Sequence, residues 1–454
     1  MKDKRILIAV LTILSLLGLV SAHGQTYTDL YNFGTNPGDP VQPQPGNIVQ
    51  GRDGNLYSVS GRGGSDSNGA AFKVTPNGEL SVIYSFTFQG PSYPTGGLTL
   101  GLDGNFYGAT QSGGTTGLGT IYKVTPSGTL TLLHSFSGSD GSYPTAPPVL
   151  GTDGEFYGTT TYGGTGNGGT IYKMTLSGNL TTLHQFSGPD GAGPYAALLL
   201  GTDGNFYGTT AGGGTNGSGT VFKITQGGVL TSLYSFNTGP ANPQTPLVEG
   251  NDGAYYGTTS MNDASVFRIT SAGVFSVLYQ FSNFSDGEDP GSSMVLGTDG
   301  AFYGTASMGG MNNNGTIYRI TPEGDYSVMY TFDGTAGSCP FVTPVQHTSG
   351  LLYGDTYQGG TQELGVLYSL DNSLEPFVSL LPYGGKVGAT IQFLGQGFTG
   401  ATQVSFNGVP AKFKVIEDTF LGAIVPSGAK TGFVTVTTPG SGVLKSNHKF
   451  IVVP

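Results

Sequence analysis

Tryptophan is absent from this 454-residue chain, cysteine occurs once, and only 10% of residues are charged. The lone Cys339 cannot close an internal disulfide, so a cross-linked scaffold is excluded and stability must come from packing. Five histidines, scattered along the chain, assemble no zinc-binding set. Beyond Ile6–Val20 no long apolar run occurs, so no integral membrane segment is expected after that run. Basic residues are also scarce. The formal net charge of −11 argues against a nucleic-acid partner, whose phosphates demand Lys and Arg. No Walker loop, H-E-x-x-H helix or G-x-S-x-G elbow is found. The pattern G-x-G-x-x-G occurs at Gly164, at Gly212 and at Gly395. None of the three opens a helix, whose N-terminus a dinucleotide cradle needs.

What the chain has in excess is glycine, 80 residues, without the Gly-X-Y period of collagen. With 37% hydrophobic residues, 25 Tyr and 26 Phe, it can still fill a large core, so disorder is excluded. Glycine costs about 1 kcal/mol relative to alanine inside a helix, so long helices are disfavoured. An all-β protein dense in tight turns remains.

Tyrosines set the organisation: Tyr57, Tyr107, Tyr157, Tyr207, Tyr256, Tyr303 and Tyr353, spaced by 50, 50, 50, 49, 47 and 50 residues. Each sits in Asp-Gly-x-aromatic/Leu-Tyr-Gly-x-Thr or a close variant, degenerate in the seventh copy, where Ser349-Gly350 replaces Asp-Gly. One unit reads as four strands. Val149-Leu150 belongs to the first, and Asp153-Gly154 is a hairpin turn. Phe156 to Thr161, Thr170 to Thr175 and Leu180 to Phe186 are the others. Four strands per ~50 residues, repeated radially, define a β-propeller blade. Copy seven supplies only three strands. The missing fourth is Thr26 to Phe33 at the chain's start, which matches Thr129 to Phe136. The expected fold is therefore a seven-bladed β-propeller of four-stranded blades, its ring closed by the N-terminal strand. The competing reading, an open solenoid, leaves that strand without a partner.

The segment Tyr-Gly-Thr-Thr-x-x-Gly-Gly…Gly-Thr-(Ile/Val)-(Tyr/Phe)-Lys, at Tyr157–Lys173 and with Ala-Gly before the glycines at Tyr207–Lys223, resembles the GloVer-type tandem repeats of bacterial secreted proteins. The resemblance runs in graded form from residue 26 to about 375, and copy five departs from it at Ser260–Ser265. It implies an exported propeller and no particular activity.

Composition shifts after Phe377. From Ser379 onward there are six lysines and two acids, whereas Gln25–Val378 holds eight basic and 25 acidic residues. The expected division is a signal peptide over 1–24, a propeller over 25–376 and a separate unit over 377–454. That unit reads as short strands of a small β-sandwich. It resembles an IPT/TIG immunoglobulin-like domain through Gly395-Gln396-Gly397-Phe398, Val404–Gly408, Val425–Ala429, Gly432 and Phe450.

Lys2, Lys4 and Arg5, the apolar run to Val20 and the small residues Val20-Ser21-Ala22 predict export, hence an extracellular or cell-surface protein. Candidate functional residues divide into periodic and aperiodic sets. Asp53, Asp103, Asp153, Asp203, Asp252 and Asp299 recur in the first hairpin turn, where turn chemistry explains them. Lys73, Lys123, Lys173, Lys223, Arg268 and Arg319 recur at one strand position and are expected to pair with acids. His134 and His184 stand where other copies carry Tyr and are expected to fill blade space. Asp140, Asp190, Asp286 and Asp289 lie between blades and are the candidate calcium ligands, although no order among them matches a calcium loop. No cofactor is otherwise expected. Tyr93, Tyr143, Tyr162, Tyr195 and Tyr357 lie in loops of one face and are the candidate sugar-stacking residues. Breaks in the symmetry mark candidate catalytic positions: Glu249 in an apolar first strand, Asp263 in a shortened loop and Asp355 where others have Thr. Glu249 and Asp355 together are the candidate acid/base pair. The expectation drawn from these features is a monomeric, secreted, non-enzymatic binding or scaffold protein whose partner is a polysaccharide or surface protein. The alternative is an extracellular carbohydrate-active enzyme, a lyase or hydrolase.

Overall fold

The structure is a computed structural model. It describes residues 25–453 except 44–45, 238–240, 261–262 and 283. The expected export signal, residues 1–24, lies outside the described residues.

Seven four-stranded antiparallel sheets form the blades of a propeller, and one curled eight-stranded sheet follows. Blade three shows the pattern: Val149–Leu150 innermost, then Phe156–Thr160, Thr170–Met174 and Leu180–Gln185. These bounds match the sequence reading to within a residue or so. The Asp-Gly turn forms because the Asp153 carboxylate accepts the Glu155 backbone N–H at 3.1 Å while Gly154 takes φ +82°. The second turn forms because the Thr175 hydroxyl accepts the Asn179 N–H at 3.1 Å. There Gly178 has φ +90°, and a Cβ would lie 2.4 Å from the Leu133 carbonyl of the preceding blade. Only glycine fits.

The repeat's Tyr-Gly pair has two tasks. In blades one to five the tyrosine ring stacks on an aromatic of the next blade at 3.9–4.2 Å, as in Tyr157–Phe206. The glycine makes room for the third strand's ring: a Cβ on Gly158 would sit 2.3 Å from the Tyr172 hydroxyl. A second aromatic contact, at 5.2–5.7 Å, links the phenylalanine after each fourth strand to the next blade's third strand at all seven seams. One of these seven is Phe33 on Phe72. Phe33 follows the N-terminal strand Thr26–Asn32, which pairs antiparallel with Val366–Asp371 and completes blade seven. The ring is closed as expected from the sequence.

The C-terminal sheet runs in the order 409–411, 403–406, 434–438, 442–446, 377–381, 390–394, 420–424, 413–417. Phe377–Leu381 joins its two halves, parallel to one neighbour and antiparallel to the other. The sheet is nearly closed, and its inner face buries Phe393, Phe406, Val436 and Phe450. This unit lies across one end of the propeller. Arg52 of blade one donates to Gln392 at 2.8 Å and stacks on Phe420, and Thr419 donates to the Arg52 carbonyl. Gln392 reaches blade two and Gln396 reaches blade seven. Among the described residues no helix is long and apolar enough to cross a membrane.

Candidate functional site

The innermost strands of the blades enclose an axial cavity of about 670 Å³, within the range typical of small-molecule sites. Each such strand is short and is entered from the loop-rich face, at residues such as Thr145, and it ends at the face covered by the C-terminal unit, at residues such as Leu150. At the covered end the floor is made by Leu380, Leu381, Tyr383, Leu394, His448 and Lys449 together with Glu249 of blade five.

Among the described residues lining the cavity, Glu249 is the one carboxyl, Lys449 the one cation and His448 the one imidazole. Glu249 is 7% exposed. It accepts the Thr202 backbone N–H at 2.8 Å and the Thr202 hydroxyl at 2.5 Å. Burial raises its pKa above the usual carboxylate value, Asp203 adds to the rise, and Thr202 and Lys449 offset part of it. His448 packs edge-on against Tyr383 at 5.0 Å, and burial pushes its imidazole down to about 4. It is therefore neutral at pH 7.

The same register holds Gln50 in blade one and Gln346 in blade seven, and both make the same clasp. Gln50 accepts the Thr348 N–H at 3.0 Å and donates to its hydroxyl at 2.9 Å. Gln346 treats Thr298 likewise, at 3.1 Å in both bonds. Glu249 is thus a clasp between blades four and five with an ionisable group in place of the amide. Aligning the copies puts Gln50, Glu249 and Gln346 in one column of otherwise leucine positions, a signal that sequence inspection passed over. His448 and Lys449 had no such signal, because they reach the cavity from a different unit.

Asp355 does not join Glu249. It lies in blade seven's second strand, fully buried, outside the cavity lining, and neither carboxylate oxygen has a hydrogen-bond partner. Burial raises its pKa well above the ordinary value. The expected acid/base pair is not assembled, because residue 355 faces along the seam between blades rather than into the channel. Asp263 is exposed in its loop.

The candidate calcium aspartates remain apart, each used by its own connection. Asp140 accepts from His134 at 2.8 Å and from the Ser137 N–H and hydroxyl, and Asp190 repeats this with His184 and Ser187. Partial burial pushes both carboxyls upward, but these bonds outweigh it and hold them below their usual value. Asp286 accepts from Tyr279 at 2.5 Å and Asp289 from Ser307 at 3.0 Å. Histidine and tyrosine therefore alternate at one position because each closes the same loop carboxylate. No three His, Cys, Asp or Glu side chains gather to hold a metal among the described residues.

The hairpin aspartates bind the repeat tyrosines' hydroxyls at 2.7–3.0 Å in six blades. The recurrent cations sit on the same carboxylates: Lys123 on Asp103, Lys173 on Asp153, Arg268 on Asp252 and Arg319 on Asp299. The expected pairing holds for these four, within a blade.

Three of the five loop tyrosines cluster at the open mouth. Tyr195 lines the cavity and its hydroxyl meets that of Tyr162 at 3.0 Å, while Tyr143 packs edge-on against Tyr162 at 6.0 Å. Thr145 fixes Tyr195 by donating to its carbonyl at 2.8 Å. Tyr357 instead packs against Phe341, three blades round the ring at the same mouth. Tyr93 is exposed and joins neither group.

Fold and site define a seven-bladed propeller with an axial cavity, floored by a second β unit. The chain belongs to the Gloeobacter/Verrucomicrobia repeat family, whose model matches residues 42–266 and 241–406. No curated protein matches it in sequence. Among solved structures it is similar to a fungal alcohol oxidase of the AA5 family in complex with copper. That pair shows 12% identity and a TM-score of 0.51, over 94% of this chain and 100% of that one. It is also similar to a gluconolactonase from Xanthomonas campestris (12%, 74% and 88%, TM-score 0.41). A third is the PQQ-bound aldose sugar dehydrogenase from Streptomyces coelicolor (13%, 76% and 98%, TM-score 0.43). At these identities the likeness is one of fold. The expectation of a non-enzymatic binding or scaffold protein is corrected here, since the solved propeller matched at a TM-score of 0.51 is an enzyme. The ionisable cavity floor, of which the sequence marked Glu249 but not His448 or Lys449, is consistent with that correction.

Proposed function

We propose that this chain is an exported, carbohydrate-active enzyme on a propeller scaffold, with its chemistry at the floor of the axial cavity. One observation carries the reading: Glu249, the single carboxyl among the described residues lining the cavity, is buried with a raised pKa beside a neutral imidazole and a lysine. Hydrolysis of the common kind needs two facing carboxyls, so elimination, a lyase reaction, fits this floor better. In that scheme His448 takes a proton from a carbon next to a carbonyl group. The C–H electron pair becomes a carbon–carbon double bond, Lys449 offsets the negative charge that develops on the carbonyl oxygen, the bond from the neighbouring carbon to the leaving oxygen breaks, and Glu249 in its protonated form protonates that oxygen. The C-terminal unit, in this reading an IPT/TIG-type immunoglobulin-like module over 377–454, supplies two of the three groups. Residues 1–24 direct the chain out of the cell.

The test is Glu249→Gln. Gln50 and Gln346 show that glutamine clasps a threonine at this register with the hydroxyl bond reversed, so the variant keeps the fold and loses the ionisable group. Wild-type turnover of a carbohydrate panel with formation of an unsaturated product, absent in E249Q, supports the proposal. Equal turnover in both proteins refutes the role of Glu249. The N-terminal residue of the secreted protein checks export.

A further inference from the structure

Between the mouth and the floor the cavity has a middle band, its waist, that carries no charged side chain and is aliphatic in five blades. In five blades an aliphatic residue stands directly opposite the repeat tyrosine in the innermost strand pair: Val49 with Tyr57, Val149 with Tyr157, Leu199 with Tyr207, Val248 with Tyr256, Val295 with Tyr303; in blade seven Val345 pairs with Tyr353 but is not part of the lining. All five line the cavity, and Thr99 fills the same place in blade two. The tyrosines are buried between blades; their partners share that face of the sheet but stand on the innermost strand, where the blade ends and the cavity begins. Four of the five aliphatic side chains are only partly buried, and what they leave open is the cavity wall. The mouth above is polar and aromatic, with Thr145, Gln244 and Tyr195, and the floor below carries Glu249, His448 and Lys449.

A bare sugar presents hydroxyls all round its ring edge. Were a sugar ring to rest at the waist, those hydroxyls would lie against valine and leucine, stripped of water and given no hydrogen bond in return. An aliphatic chain loses nothing there and removes the collar from water. We infer that the waist is a binding site for an aliphatic chain, and that the substrate is an amphiphile, a carbohydrate head bearing an alkyl or acyl chain. The head reaches the ionisable floor and the chain lies along the collar toward the aromatic mouth. The head rests on the function proposed above; the chain rests on the collar alone.

Binding of decyl glucoside, methyl glucoside and decanoate, below their micelle concentrations, tests this by calorimetry on the full mature chain. Each methylene buried against the collar multiplies affinity by up to about fourfold, so decyl glucoside binds at least tenfold more tightly than methyl glucoside. Leu199→Asp removes that gain. The near-isosteric pair Val49→Thr and Val149→Thr reduces it while keeping strand propensity, which guards against a folding defect in the first variant. Equal affinity for the two glucosides, or a gain that survives both variants, overturns the site. If decanoate binds as tightly as decyl glucoside, the chain site stands and the carbohydrate head is what fails.

Discussion

Asp355 makes the sharpest stability test. It is fully buried, and neither oxygen finds a partner. In blades three to six the same position holds Thr159, Thr209, Thr258 and Thr305, each of whose hydroxyls donates to a carbonyl of the next blade at 3.0–3.3 Å. Replacing Asp355 by Thr removes an unsatisfied buried group and restores a donor to the seam. An unsatisfied buried polar group costs about 1–3 kcal/mol, more when charged, so the expected gain at pH 7 is about 2 kcal/mol or more. The pH dependence gives an independent readout. The folded-state pKa of Asp355 is raised, so the folded chain holds a proton that the unfolded chain releases above about 3.9. Stability from this group is therefore highest in acid and falls as pH rises from about 4 through the folded pKa. Urea unfolding of both proteins at pH 5 and pH 8 measures this. D355T should be the more stable at both values, with the larger margin at pH 8. A less stable variant, or an unchanged difference between the two pH values, refutes the account.

Four further outcomes follow from the repeat and the floor. Gly158→Ala drives a Cβ toward the Tyr172 hydroxyl and should cost about 1–3 kcal/mol in urea unfolding. Lys173→Met breaks a partly exposed ion pair with Asp153 and Glu155 and a long contact over the Tyr157 ring and should cost no more than about 1 kcal/mol. Asp153→Ala should cost more than K173M, because it also strips the turn's N–H acceptor and the partner of the buried Tyr157 hydroxyl. Beginning the mature chain at Gly34 removes the strand paired with Val366–Asp371. It should open blade seven, expose a sheet edge and produce oligomers on size exclusion.

The blades were legible in the sequence because each rule that builds them is local and repeated. Asp153-Gly154 states its turn, Tyr157-Gly158 its stacking and its clearance, and six further copies repeat the statement with few changes. Even the ring closure was legible, since Thr26–Phe33 matched a fourth strand that copy seven lacked. The curled C-terminal sheet was only partly legible. Its joining strand, Phe377–Leu381, makes a parallel pair with Gly442–Ser446 from 60-odd residues away, and no local pattern encodes such a partner. The candidate site was the least legible, for a related reason. Glu249 stood out as a charge in an apolar strand, but the groups that give it chemical meaning lie about 200 residues on, in a unit whose lysines looked like a surface charge. Asp355 stood out equally and turned out to be sealed in a seam. A symmetry break in a repeat protein marks where a rule is suspended. Whether that place is a site or a strain depends on which strand of the blade carries it: the innermost strand borders the cavity, while the second is sealed between blades. Residues 249 and 355 differ in that respect, so Glu249→Gln should change reactivity and leave stability nearly untouched, while Asp355→Thr should do the reverse.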